Sequence, residues 1–163
     1  MTEAAGGHRP ATLDLAADDG LARDVLRLQR AAYAVEAARI GSDGIPALTE
    51  TLEALRDAGE AWLGCHDRAG LVGAVAWQVL DDGTVDICRL VVAPRAFRVG
   101  VATALLDDLD GRYPGRRMVV STGSANEPAL GLYRRRGFVA VREREAAPGL
   151  MVTELVRPGV ADG

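Results

Sequence analysis

The stretch N-E-P-A-L-G-L-Y-R-R-R-G-F, Asn126 to Phe138, decides the reading of this chain. An Asn that can cap a helix opens it, Tyr133 follows two helical turns later, Gly137 stops the helix and Phe138 starts a strand. Upstream lies V-V-A-P-R-A-F-R-V-G-V-A-T-A-L-L, Val91 to Leu106. It reads as an apolar strand closed by Pro94, then a Gly-containing loop that runs straight into an amphipathic helix. Such a junction offers free backbone N–H groups and the positive end of a helix dipole to an anion. Gly100 and Ala102 are small enough to let the backbone approach phosphates, and Arg98, Val99, Val101 and Thr103 supply further amides.

The rest of the chain supplies a mixed α/β framework. Alternation over Thr12 to Ala16 predicts a first strand, and Asp18 or Asp19 can cap a helix carrying Leu21, Val25, Leu28 and Ala32 on one face. Pro46 suits the first turn of a second helix with Leu48, Leu52 and Leu55 inward, ended by Gly59. Strands are expected over Ala61 to His66, Leu71 to Leu80 and Val85 to Val92, joined by D-R-A-G and D-D-G-T turns. A helix from about Val101 to Leu109, a short strand Met118 to Ser121, the Asn126 helix, and strands Val139 to Glu145 and Leu150 to Val156 complete the order β-α-α-β-β-β-α-β-α-β-β. Residues 1–10 and 159–163 read as tails around a single domain spanning 11–158.

The two blocks, in this order, resemble the GNAT superfamily of acyl-CoA N-acyltransferases. The family's second block, N-x-x-A-x-x-L-Y-x-x-x-G-F, is matched at every fixed position by Asn126, Ala129, Leu132, Tyr133, Gly137 and Phe138. Its first block, Q/R-x-x-G-x-G/A, is matched at Gly100 and Ala102 but carries Phe97 where Gln or Arg is usual; Arg98 is expected to supply the guanidinium instead. The resemblance implies a mostly antiparallel twisted sheet of about seven strands flanked by four helices. It also implies acetyl-CoA as co-substrate, with Leu90, Val91 and Val92 pairing their backbone with the pantetheine arm like an added strand. Other phosphate loops are absent: no G-x-x-x-x-G-K-[ST] occurs, and no G-x-G-x-x-G follows a strand.

Acyl transfer from a thioester to an amine has fixed demands. An ammonium of pKa about 10 must lose its proton before it can attack, the oxyanion wants an N–H donor, and the leaving thiolate benefits from an acid. Through the resemblance, Tyr133 becomes the acid beside the sulfur and Asp86 the base, acting through water because it is one carbon shorter than the usual Glu. The N–H of Val91 or a neighbour would face the oxyanion, and Asn126 would bind cofactor, cap its helix, or both. Without it, Tyr133 reads first as a core tyrosine on an amphipathic helix, and Asp86 equally as a solvated carboxylate after a turn. Tyr33 and Glu36 are candidates for the acceptor pocket, and Arg39 and Arg89 for either a substrate carboxylate or internal ion pairs.

Composition narrows the class further. The chain has 163 residues, 48% hydrophobic and 26% charged, ordinary for a soluble globular domain. A net charge of −4 argues against a nucleic-acid partner, and no apolar run is long enough for a membrane helix. The first ten residues lack a basic-then-apolar leader, so the expected compartment is the cytoplasm. All nineteen cationic side chains of the Lys and Arg class are Arg, which excludes acetylation on an internal lysine. Arg134-Arg135-Arg136 reads as a solvated face or as a neighbour of CoA phosphates. Cys65 and Cys88 read as packed thiols, and no metal is expected. The reading is therefore an acetyl-CoA-dependent N-acetyltransferase acting on a primary amine, with a small molecule favoured over a protein, by direct attack in a ternary complex. Its alternative is a non-catalytic acetyl-CoA-binding module. Homodimers are common in the family.

Overall fold

The computed structural model describes residues 8–41 and 49–160. Seven strands form one sheet: β1 (Ala11–Leu13), β2 (Ala61–Asp67), β3 (Gly70–Val79), β4 (Val85–Val92), β5 (Met118–Gly123), β6 (Val139–Ala147) and β7 (Leu150–Arg157). Their spatial order is β1-β2-β3-β4-β5-β7-β6, and every neighbouring pair is antiparallel except β4 with β5. Four helices flank it: α1 (Asp19–Ile40), α2 (Leu52–Asp57), α3 (Val101–Arg112) and α4 (Glu127–Arg135). The expected class and element order are those observed.

Local chemistry sets most boundaries. The Asp18 carboxylate accepts the Leu21 N–H and starts α1, and the Thr51 hydroxyl accepts the Ala54 N–H and starts α2. Pro46 and Leu48, expected in a second helix, lie outside the described residues; the described helix begins only after its Thr51 cap. The first strand is shorter than Thr12 to Ala16, because Asp14 already accepts the Ala17 N–H in a turn leading into α1.

Two apolar layers sandwich the sheet. Leu105, Leu109, Leu130 and Tyr133 from α3 and α4 pack on Val75, Val85, Ile87, Met118 and Leu155. On the opposite face Val25 and Leu28 of α1, with Leu55 of α2, cover Trp62, Ala74, Ala76 and Val91. The close seat of α3 requires Gly73, where a Cβ would lie 2.4 Å from the Val101 side chain and 3.4 Å from the Val91 carbonyl. Gly73→Ala is expected to cost about 1–3 kcal/mol through overpacking, read as a lowered Tm in thermal denaturation.

β4 carries an irregularity that places the site. Its ladder with β3 steps from Ala76↔Arg89 to Trp77↔Ile87, leaving Cys88 as an extra residue. Before this bulge Val85 and Ile87 face the α3 and α4 layer; after it Leu90 and Val92 pack there, while Val91 joins the α1 layer. β5 pairs with β4 only through Val85, Asp86 and Ile87. From Leu90 to Val92 the strand is hydrogen-bonded to β3 on one side and unpaired by β5 on the other. The sheet is split open there.

The far edge is guarded differently. Along β6, Val139 and Val141 stand 61% and 59% exposed, an invitation to edge-to-edge pairing. Two register breaks and the run R-E-R-E answer it, with Arg142 and Arg144 both held by Glu154 of β7.

Candidate active site

A cleft of about 500 Å³ opens where β4 and β5 part. One wall is α1, through Ala32, Tyr33, Val35, Glu36 and Arg39; the floor is Leu90, Val91 and Val92. The β4–α3 loop and the start of α3 close one end, through Phe97, Arg98, Gly100, Val101, Ala102 and Thr103. The far wall is α4, through Asn126, Pro128, Ala129, Leu132 and Arg135. Most of the residues singled out in the sequence meet here. Neither Val99, 54% exposed, nor Tyr133, buried at 3%, lines the cleft.

The loop end is built for an anion. Gly100, at φ 90°, is the N-cap of α3 and has no side chain to satisfy the first-turn N–H groups. Arg98 holds a φ of 66°, a left-handed conformation uncommon for a side chain of its size. Two positive-φ residues within three positions turn this backbone sharply, and the unsatisfied donors of α3 meet the cleft. Both Phe97 and Arg98 border it, so a guanidinium is at hand although the residue in the expected place is aromatic.

At the other end stands α4. The Asn126 carboxamide oxygen accepts the Ala129 N–H at 3.3 Å, capping the helix as its residue type predicts, and the side chain also favours the charged form of Glu36 on α1. Tyr133, 3% exposed, packs edge-on against Phe138 with ring centroids 5.4 Å apart. Burial raises its hydroxyl above the ordinary tyrosine range, and the neighbouring Tyr33 and Glu36 push it further. A phenol held so high stays protonated and can donate. Tyr33 is raised as well, by burial first and then by Glu36.

The carboxylates divide between two places. Glu36 is the one acidic side chain among the described residues lining the cleft. Burial pushes its pKa up, against the Asn126 hydrogen bond and the Arg39 charge. Asp86 stands on β4 before the bulge, opposite Gln78 and Val119, outside the cleft lining. It is half-buried, and burial raises its pKa too.

Arg89 is committed elsewhere. Its guanidinium lies over the Trp62 ring at 5.5 Å and donates to Glu50 and to Glu60, the latter at 2.7 Å. Gln29, fully buried, accepts from Arg89 and donates to Glu50, both at 2.8 Å. Of the two readings open for Arg89, the internal ion pair is the one observed. The arginine run also splits: Arg135 borders the cleft, while Arg136 bonds Asp107 and Asp110 of α3.

Cys65 is buried and Cys88 half-buried, neither in a disulfide. Burial pushes the Cys88 thiol up to about 12, with Glu60 and Asp86 adding to it, so it is not poised as a nucleophile. Among the described residues no three His, Cys, Asp or Glu side chains gather as metal ligands, and no helix is long and apolar enough to cross a membrane.

Sequence reasoning did not single out Ala32, Val35, Pro128 and Leu132 as cleft residues, although it offered Arg39 and Arg135 for a substrate or the cofactor. Their signal was helical spacing: 32, 36 and 39 share a face, as do 128, 132 and 135.

A family model described as the acetyltransferase (GNAT) family matches residues 23–138, from α1 through Phe138. The chain belongs to the GNAT acetyltransferase family. Over 134 residues it is 35% identical to the UPF0157 protein YqkA of Bacillus subtilis (strain 168), an alignment covering 82% of this chain and 39% of that protein. The chain thus spans about two-fifths of the length of this curated relative. Among solved structures, the ribosomal-protein-S18-alanine N-acetyltransferase of Escherichia coli superposes with a TM-score of 0.72 at 15% identity, with 93% of each chain covered. The PaiA N-acetyltransferase of Thermoplasma acidophilum, solved with coenzyme A, gives 0.66 at 13% identity, covering 90% of this chain and 97% of that one. At such identities these two show the GNAT fold.

Proposed function

We propose that this GNAT acetyltransferase moves an acetyl group from acetyl-CoA to a primary amine, a small molecule rather than a protein, by direct attack in a ternary complex. The carrying observation is the split between β4 and β5. The stretch Leu90 to Val92 runs along the cleft unpaired by β5, with the uncapped start of α3 at one end and α4, which carries Tyr133 on its buried face, at the other. The pyrophosphate would take the N–H groups of the α3 first turn, and the pantetheine amides would pair with β4 as an extra strand. The thioester would then lie toward α4 and Tyr133.

The chemistry follows from these positions. The amine nitrogen forms a bond to the acetyl carbon, the C–S bond breaks, and the CoA sulfur takes a proton from the Tyr133 hydroxyl. A backbone N–H at or near Val91 would steady the oxyanion. Removal of the amine proton falls to a carboxylate, and two stand near, Asp86 and Glu36. The preference for a small acceptor rests on the lack of an acidic run that would hold a basic peptide.

Calorimetric titration of the full chain with acetyl-CoA, CoA and NAD tests this reading. Acetyl-CoA and CoA are expected to bind in the micromolar range and NAD not at all. Gly100→Val, which forces a β-branched side chain into φ 90°, is expected to weaken acetyl-CoA roughly tenfold or more, equivalent to about 1.4 kcal/mol. A folded protein that ignores acetyl-CoA would end the proposal, and binding without amine-dependent thiol release would reduce it to a binding module.

A further inference from the structure

We infer that Glu36, reaching in from α1, and not Asp86 on β4, is the carboxylate that takes the proton from the acceptor amine. This rests on the N-acetyltransferase reading above and assigns one role within it. Geometry separates the two candidates. Glu36 lines the cleft directly, facing the floor formed by Leu90, Val91 and Val92. Asp86 lies on the other side of the bulge, where β4 is still paired on both edges.

Asn126, whose carboxamide oxygen caps α4, lines the same cleft as Glu36 and favours its charged form, as does Arg39. Arg39 of the same helix acts on Glu36, and Glu36 acts on Tyr33 and Tyr133; Arg98 and Arg135 line the same cleft over a floor of Leu90, Val91 and Val92, and Arg89 of β4 acts on Tyr33. Glu36 bears on both tyrosines, and Tyr33 bears on Tyr133.

The proton balance closes within this group. A neutral amine attacks the acetyl carbon, and its surplus proton passes to a Glu36 oxygen. Tyr133 gives its proton to the departing sulfur and recovers one from Glu36 by way of Tyr33. One proton has moved from nitrogen to sulfur, and every side chain is restored. Burial keeps the Glu36 pKa above the ordinary carboxylate range, nearer to neutrality, where a base is most effective.

The test uses the full chain, acetyl-CoA at saturation and methylamine at high concentration as the amine, with thiol release followed against pH. Wild type is expected to lose kcat/KM as pH falls through the Glu36 pKa. Glu36→Gln is expected to lower kcat by about 10²–10³-fold and abolish that acidic limb, with acetyl-CoA affinity in calorimetry kept. Added formate should partly restore Glu36→Ala, which a merely structural role would not permit. Asp86→Asn should retain the acidic limb. If Asp86→Asn removes the limb and Glu36→Gln keeps it, the inference fails while the acyltransferase reading stands. If wild type binds acetyl-CoA yet releases no thiol with methylamine, both the inference and the transfer reaction fall. A chain that does not bind acetyl-CoA sinks the cofactor assignment itself.

Discussion

Tyr133→Phe is expected to lower kcat by about 10²–10⁴-fold while leaving acetyl-CoA affinity and thermal stability close to wild type. The change removes one hydroxyl and keeps the ring that packs edge-on against Phe138 in the α3 and α4 core. Both the stability and the affinity readouts therefore separate an acid from a core tyrosine. The pH dependence has a definite sign. The acid must be protonated to act, and burial lifts its pKa above the ordinary tyrosine value of about 10. Activity should consequently show no Tyr133-dependent loss as pH rises toward 10. A Phe variant with wild-type kcat would return Tyr133 to a purely structural role, and the leaving thiolate would need another donor.

Arg89→Ala is expected to destabilise the fold by about 3–5 kcal/mol, read as a lower urea midpoint with an unchanged slope. The loss comes from what remains behind. The side chains of Glu50 and Glu60 are only 17% and 10% exposed, and without Arg89 both carboxylates lie uncompensated. In the wild type, burial acts to raise the Glu50 pKa, but hydrogen bonds from Arg89 and Gln29 outweigh it and hold the group low. Its contribution to stability is thus present above its unfolded pKa of about 4.3 and lost as pH falls through the folded value. In Arg89→Ala burial wins and the sign reverses, so mild acidification should stabilise the variant relative to neutral pH. Glu50→Gln placed in the Arg89→Ala background should recover part of the loss; simple additivity of the two would deny the coupling.

The α4 block was fully legible because its signals are local. Asn126 is the residue type that caps helices, and Tyr133 sits two turns later on the buried face, so both assignments follow from spacing alone. The α3 start was legible for the same reason. What the sequence concealed depends on partners distant along the chain. Arg89 could be placed on a strand, but its choice between substrate and ion pair was made by Glu50 and Glu60. Glu36 could be placed near the acceptor, yet only the packing of α1 across the split sheet brings it to Asn126. The bulge at Cys88 shifts the inward face from Val85 and Ile87 to Leu90 and Val92, a change of phase that the continuous apolar run Leu90-Val91-Val92 hides in the sequence.

That phase change makes the length of β4 a constraint separate from its chemistry. Substitution at Cys88 leaves the backbone count intact, and a half-buried thiol that donates to the Asp86 carbonyl is replaceable. Deleting Cys88 would take out the extra residue and leave Ile87 and Arg89 as consecutive partners of Trp77 and Ala76, so Leu90 and Val92 would keep the α3 side. Inserting one more residue between Asp86 and Leu90 is another matter, since it would exchange the faces on which the later side chains emerge. The segment should therefore tolerate point changes and the loss of its extra residue far better than a gain.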